Sequence, residues 1–448
     1  MKKLFCLLVF FLLSLPVTGL TEGHGNRLSC NVCGMYIDIY KDTSTRLVRD
    51  DGRVTHTCGV ACMLRLVNDR GGPDAFSEIT VHDWQTKSEV AAAEAVYVIG
   101  SKLVPDMLPN IIAFADRAAA EAFVAQNGGE IIDFTQAMLS ISPMGMTMPT
   151  RIKSAVLPGR GATGVGVGYM YMQMDEVIEG SESIDPRTFA GQPMQMMGPK
   201  EMTSKGEMLM ISHALTDNLT LGLKTAYIEK EMVMYTMGGN SSISTENSGI
   251  TDTAVNLRYA MWKNTFYSKF FSLLGEVTLP TGDFEPEFIG SPGLQLGAGD
   301  FTGTAGLLFS HRLGSFWFHY LLSYQHKLEN SDNYRFGDVS RLGAAVHYTP
   351  NYDVMLGLEV DGAEYGKDEY NGVKVNNTGG FRSYATAVAN WRFLTALGGN
   401  FNLRVAGGLP IYEDMNHYTM GTMEKVQMGG GYLYNVMLSF KRRFQLNW

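Results

Sequence analysis

Cys30-Asn31-Val32-Cys33-Gly34-Met35 is followed by His56-Thr57-Cys58 and by Cys62. The stretch gathers thiols, a thioether and an imidazole. Such soft and borderline donors suit Cu(I) or Zn(II), not the hard cations Ca2+ or Mg2+. Cys30 and Cys33 can close on one ion. A soft d10 ion in two- or three-coordination then needs one more sulfur or imidazole, which Met35, His56, Cys58 or Cys62 could give. Thiolate is the ligating form, and a bound cation lowers the thiol pKa. Other readings use the same residues. Cys-x2-Cys with Cys-x3-Cys also fits a closed, tetrahedral structural zinc site. In an exported protein the four could form one or two disulfides. A redox CxxC is a further reading, although no thioredoxin-like βαβ pattern surrounds it.

The remaining cysteine, Cys6, falls in the leader. Met1-Lys2-Lys3 is a basic start, Leu4 to Leu15 an apolar core, and Val17-Thr18-Gly19 offers cleavage, so residues 1–19 read as a signal peptide. Export places the thiols where disulfides are permitted. The net charge of −9 gives no reason to expect nucleic acid as a partner. Fifty glycines, 21 tyrosines and 23 phenylalanines lean toward β structure. After the leader no apolar run is long enough for a membrane helix, but alternating barrel strands would escape that criterion. No nucleophile–base motif or cofactor loop is visible, so the expectation is that the chain is not an enzyme.

Residues 20–135 read as an α+β domain. Asp50-Asp51-Gly52 is a hairpin turn, Val60 to Asn68 a short helix, Ile79 to Trp84 and Ala95 to Ile99 strands. Asp116 caps a second helix, and Ile131 to Phe134 is a last strand. Cys30-x2-Cys33-Gly34-Met35, Asp83-Trp84-Gln85-Thr86, Ala95 to Ser101, Ala113-Phe114 and Gly128-Gly129 give this region its resemblance to the nitrous-oxide-reductase accessory protein (NosL) family. The resemblance implies an exported Cu(I)-binding domain, with the motif's ligands at Cys30, Cys33 and Met35. That family carries Pro-Met-Gly before its last helix, where this chain has Pro105-Asp106-Met107-Leu108.

Residues 136–163, rich in Met, Pro and Gly, read as a linker. From residue 164 to 448 the chain alternates with period two. Val165, Val167, Tyr169 and Tyr171 share one face, opposite glycines and Met170, Met172 and Met174. About twelve such strands are separated alternately by short turns and long segments, the asymmetry of an antiparallel transmembrane barrel. The last carries Tyr432, Tyr434, Val436, Leu438 and Phe440 on one face and ends at Trp448, as outer-membrane barrels do. A soluble β-sandwich would alternate too, but would need neither twelve spans nor the loop asymmetry. Leu279-Pro280-Thr281-Gly282 with Ser291 to Gly297 resembles the exported barrel family linked to phenol-degradation pathways, which implies an outer-membrane channel. Short turns on the periplasmic side place the N-terminal domain in the periplasm.

Methionine is abundant, with 27 residues, and clustered. Three of the long outer segments carry the clusters, and closure of the barrel would make them neighbours. The expected relay for copper is Met194, Met196, Met197, Met234, Met237, Met420 and Met423 outside, Met170, Met172 and Met174 in the lumen, and Met144, Met146 and Met148 in the linker. Thioethers bind Cu(I) without deprotonation, which suits capture and handover. The bland alternative is flexible packing. The sequence thus points to an outer-membrane protein whose periplasmic domain binds Cu(I), with Zn as alternative. Its barrel passes copper inward to a periplasmic acceptor protein, and its other partner is outer-membrane lipid. The competing reading is a channel for small organic molecules with a disulfide- or zinc-stabilised module.

Overall fold

The computed structural model describes residues 27–141, 148–193, 195, 197–236, 238–264, 267–351, 353–397, 399–420 and 423–443. Residues 1–19, expected to be a signal peptide, and residues 444–448, with Phe444 and Trp448, lie outside the described residues.

The N-terminal unit has two small sheets. β1 (Thr45–Val48) lies between β2 (Val54–Thr57) and β3 (Glu78–His82), with β4 (Glu89–Ala91) at the edge. β5 (Val96–Ile99) pairs with β6 (Ile111–Phe114) and β7 (Glu130–Ile132). The helices are α1 (Val60–Asp69), α2 (Arg117–Asn127) and α3 (Phe134–Ile141). Asp116 caps α2 by accepting from the Ala119 amide at 2.9 Å. Leu47, Met63, Leu64, Val67, Tyr97, Ile111 and Met138 form one buried core. That core includes Ala137 and Met138 of α3, so the packed unit continues past residue 135 into the stretch expected to be linker. The reason is apolar periodicity: α3 buries Ala137, Met138 and Ser140 on one face.

Twelve antiparallel strands then close a barrel. They are β8 (Ala162–Met174), β9 (Met197–Thr216), β10 (Leu219–Thr236), β11 (Thr253–Lys263), β12 (Lys269–Leu279) and β13 (Thr302–Leu313). They continue with β14 (Phe316–Lys327), β15 (Val339–Tyr348), β16 (Val354–Tyr365), β17 (Gly380–Ala396), β18 (Gly399–Met415) and β19 (Tyr432–Arg443). Each pairs with the next, and β19 pairs with β8 to close the ring. Closure leaves no open edge, the condition for strands in a bilayer. Outward positions carry Leu221, Leu257, Leu273, Leu307, Leu342, Leu358, Leu409 and Leu438, all exposed. Inward positions carry buried Thr220, Arg258, Ser272, Ser310, His319, Glu359, Asp361 and Asn402. Apolar outside and polar inside is the pattern of a lipid-facing barrel. No helix among the described residues is long and apolar enough to cross a membrane.

Two expectations need correction. β9 and β10 run 20 and 18 residues, roughly twice the 9–11 a tilted membrane strand needs. Met197, Met202, Met232 and Met234 therefore lie on strands that continue beyond the bilayer, not in loops. The return strand Ser241–Ile250 extends this outer sheet by pairing with β10.

The linker also enters the lumen. Thr150 and Arg151 donate their amides to Glu359 at 2.7 and 2.8 Å. The Arg151 guanidinium pairs with Asp361, which Arg341 also holds at 2.7 Å. Lys153 meets Glu276 at 2.7 Å, Arg258 donates to the Ser154 carbonyl at 3.0 Å, and Ser272 donates to the Ala155 carbonyl at 2.7 Å. Ile152, Ala155 and Val156 pack on Phe270, Leu274, Leu308, Trp317 and Leu321. The partners named come from the consecutive strands β11 to β16, so the segment runs inside the barrel against that part of its wall.

The two units are docked through the last turn of α1. The Asn68 carbonyl accepts from Arg392 and Asn400, both at 3.1 Å, and Asp69 pairs with Arg443 at 3.2 Å. Cations suit a helix C-terminus. α1 is 10 residues long, about 15 Å, and its first turn faces the other way, toward the cysteines.

Candidate metal centre

The motif Cys30 to Met35 folds into a tight turn. The Cys30 amide donates to the Met35 carbonyl at 2.7 Å and the Gly34 amide to the Cys30 carbonyl at 2.9 Å. Gly34 has φ +79°, a left-handed conformation that favours glycine. The Val32 amide points at Cys30 Sγ, 3.5 Å away. Arg27, paired with Asp38 and stacked over Tyr36, ties down the chain on either side. Cys58 leaves the end of β2, held by Thr43 Oγ1 donating to its carbonyl at 2.9 Å. Cys62 sits in the first turn of α1.

These elements bring the Sγ atoms of Cys30, Cys33, Cys58 and Cys62 within 4.8 Å of one another. Cys33 and Cys58 are 3.4 Å apart and Cys58 and Cys62 3.7 Å. All four are free thiols, and all but Cys33 are buried. Hydrogen bonds from Cys33, then from Cys58 and Cys62, hold the Cys30 thiol far below its ordinary pKa. Cys33 is lowered too: Cys30 opposes its ionisation, and hydrogen bonds from Cys58 and Cys62 favour it. Cys58 and Cys62 are pushed well up, chiefly by the neighbouring Cys30 and Cys33. Ionisation is thus favoured at Cys30 and Cys33 over Cys58 and Cys62, and a metal ion taking all four sulfurs must displace the thiol protons that remain.

Two thioethers flank the thiols. Met35 packs on the cluster, and Met107 Sδ lies 3.4 Å from Cys62 Sγ. Met107 was not among the ligands expected from the sequence. Its only signal was its place near the family's Pro-Met-Gly, and it is one residue out of register with that motif. Asp106 next to it explains Gly59: a Cβ there would fall 1.5 Å from Asp106 Oδ2. His56 does not join the group. It is paired across the sheet with Arg46, and its pKa is lowered by burial and then by Arg46. The motif Asp83 to Thr86 is structural: Asp83 accepts from the Thr86 and Ala115 amides at 2.6 and 2.8 Å, joining the end of β3 to the residue after β6.

Burial raises the Asp106 pKa to about 6. A carboxyl group raised on folding keeps its proton in the folded state after the unfolded chain has lost it. The metal-free domain is therefore expected to lose on the order of 1–3 kcal/mol as pH rises from about 4 through 6. Hydrogen exchange of α1 amides, compared at each pH with Asp106→Asn, reads this out. Equal pH dependence in both proteins would refute it.

Of the expected relay, Met144, Met146, Met194, Met196 and Met237 lie outside the described residues, as do the side chains of Met420 and Met423. Met197 is exposed at the start of β9. Met148 precedes the luminal segment, and Met234 lies on β10. Met170 packs with Met208, Met210 and Met437 on the luminal wall. Met172 and Met174 pack with Met202, Met232 and Met428.

Residues 24–140 match the family model described as NosL, and residues 216–390 the one described as MetA-pathway of phenol degradation. No curated protein matches the chain. Among solved structures, an outer membrane channel from Pseudomonas putida F1 is 15% identical, covers 66% of this chain and 99% of its own, and has a TM-score of 0.46. The copper chaperone NosL from Shewanella denitrificans is 22% identical over 25% of this chain and 91% of its own, with a TM-score of 0.23. A FadL homologue of Pseudomonas aeruginosa is 10% identical over 68% and 97%, with a TM-score of 0.33.

Proposed function

Since a NosL-type domain here stands ahead of an outer-membrane β-barrel in one chain, we propose that the protein handles copper at the outer membrane. The domain receives Cu(I) on its periplasmic side, and the barrel passes the ion inward from its methionine-bearing outer end. The observation that carries this reading is the donor set: four mutually close thiols with the Met107 thioether against them. Four thiolates alone would suit tetrahedral zinc equally well. Thioethers are soft ligands that select Cu(I), and two of them line this centre.

The centre lies at the end of α1 remote from the barrel, so the ion is presented to the periplasm and to an acceptor protein there. Delivery from a thioether to a thiolate runs from weaker to stronger donor, which gives the transfer its direction. The reaction is exchange of ligands on a cargo ion. The second reading is a channel for small organic molecules, which the match of residues 216–390 supports.

Anaerobic titration of the full-length protein with Cu(I) and Zn(II), each against a chelator of known affinity, tests the reading. We expect one tightly held Cu(I) per domain that excess Zn(II) fails to displace. Zinc retained in preference to Cu(I) would favour a structural module and the organic channel.

A further inference from the structure

The outer end of the barrel holds a second concentration of sulfur. Met174 on β8 is directly opposed to Met202 on β9, and Met202 to Met232 on β10. Opposed residues of neighbouring strands share a face of the sheet, so the three thioethers make one rung. Met172 is the next residue on that face of β8. Met428 comes from the outer strand Gln427–Gly429, which pairs with Glu176–Glu179 just beyond β8. Met174, Met202 and Met428 are buried together, and Met172 and Met232 pack on them.

The cluster is enclosed. Gly293, in the loop after β12, closes over the cluster: a Cβ there would lie 3.1 Å from both Sδ and Cε of Met202. The Arg382 guanidinium lies 3.6 Å from Met174 Sδ and pairs with Glu413 at 3.3 Å. An ion entering the cluster would displace that guanidinium contact, and Glu413 offers negative charge to offset its own. A single methionine fills a gap in a core. Five from four separate chain segments, meeting on one luminal face, make a donor set.

We propose that Met172, Met174, Met202, Met232 and Met428 form a thioether site for a soft monovalent cation, Cu(I) or its analogue Ag(I), at the outer end of the lumen. Thioethers take such an ion without losing a proton and hold it less tightly than thiolates. The site would therefore load from outside and release toward the cysteine centre. The inference deepens the copper reading and rests on it.

The test uses full-length protein in detergent with Cys30, Cys33, Cys58 and Cys62 all replaced by serine. It is titrated anaerobically with Cu(I), and separately with Ag(I). We expect about one ion per chain in sulfur-only coordination, weakened about tenfold or more by Met174→Leu with Met202→Leu. Leucine keeps the volume, and heat-modifiable gel mobility verifies the folded barrel. Thiol-free protein that binds neither ion, or binding indifferent to the leucines, would overturn the proposal. Either result leaves the cysteine centre untouched. Conversely, absence of tight copper in the unsubstituted protein would refute the proposed function, whatever the thiol-free protein binds.

Discussion

Serine at Cys58 is expected to weaken Cu(I) binding about a hundredfold, and serine at Cys62 by a similar factor. The scale comes from four-ligand structural zinc sites, whose total binding energy of about 10–16 kcal/mol gives roughly 3 kcal/mol per ligand. Both residues are buried and lie 3.7 Å apart, so neither can be replaced by water without opening the pocket. Met107→Leu should cost less, about tenfold, because it removes a neutral donor beside Cys62. His56→Ala should leave affinity unchanged, since His56 pairs with Arg46 across the sheet. Chelator competition on each variant checks the series. An effect at His56 as large as that at Cys58 would contradict the assignment.

The second large effect concerns the pore. Residues 150–156 are held in the lumen by Glu359, Asp361, Glu276, Arg258 and Ser272, and by the apolar cluster around Trp317. Hydrogen bonds to charged groups contribute about 1.5–3 kcal/mol each, so together they keep the segment in place. Replacing residues 150–156 by a glycine–serine stretch of equal length removes those partners while keeping the two units joined. Planar-bilayer recordings should then show a larger unitary conductance than the unsubstituted protein gives. Like conductance in both proteins would mean that another part of the chain blocks the lumen, or that none does.

Both effects bear on what can be read from a linear chain. Strict alternation in segments such as Leu219 to Tyr227, bounded by short turns, made the twelve strands legible. So was the Cys30–Cys33 turn, because Gly34 and the spacing act locally. The luminal course of residues 150–156 was not, since Arg151 finds its carboxylate 210 residues away and Ile152 packs on a wall that starts at Phe270. A charged residue beside an apolar one reads as linker until the barrel supplies a carboxylate and an apolar wall. Met107 was hidden for the same reason, being 45 positions from Cys62. His56 looked like a ligand by proximity to Cys58, but strand pairing turns it toward Arg46. The methionines of β9 and β10 were assigned to loops because a membrane strand is expected to be short, whereas these continue outside as a paired sheet.

Whether these sulfurs hold copper can be read at the metal itself. X-ray absorption at the copper edge, on full-length protein loaded anaerobically with one equivalent of Cu(I), tests it most directly. Coordination by sulfur alone is expected in the unsubstituted protein, degraded by Cys58→Ser and unchanged by His56→Ala. A shell containing nitrogen or oxygen, or protein that retains no copper at all, would contradict it.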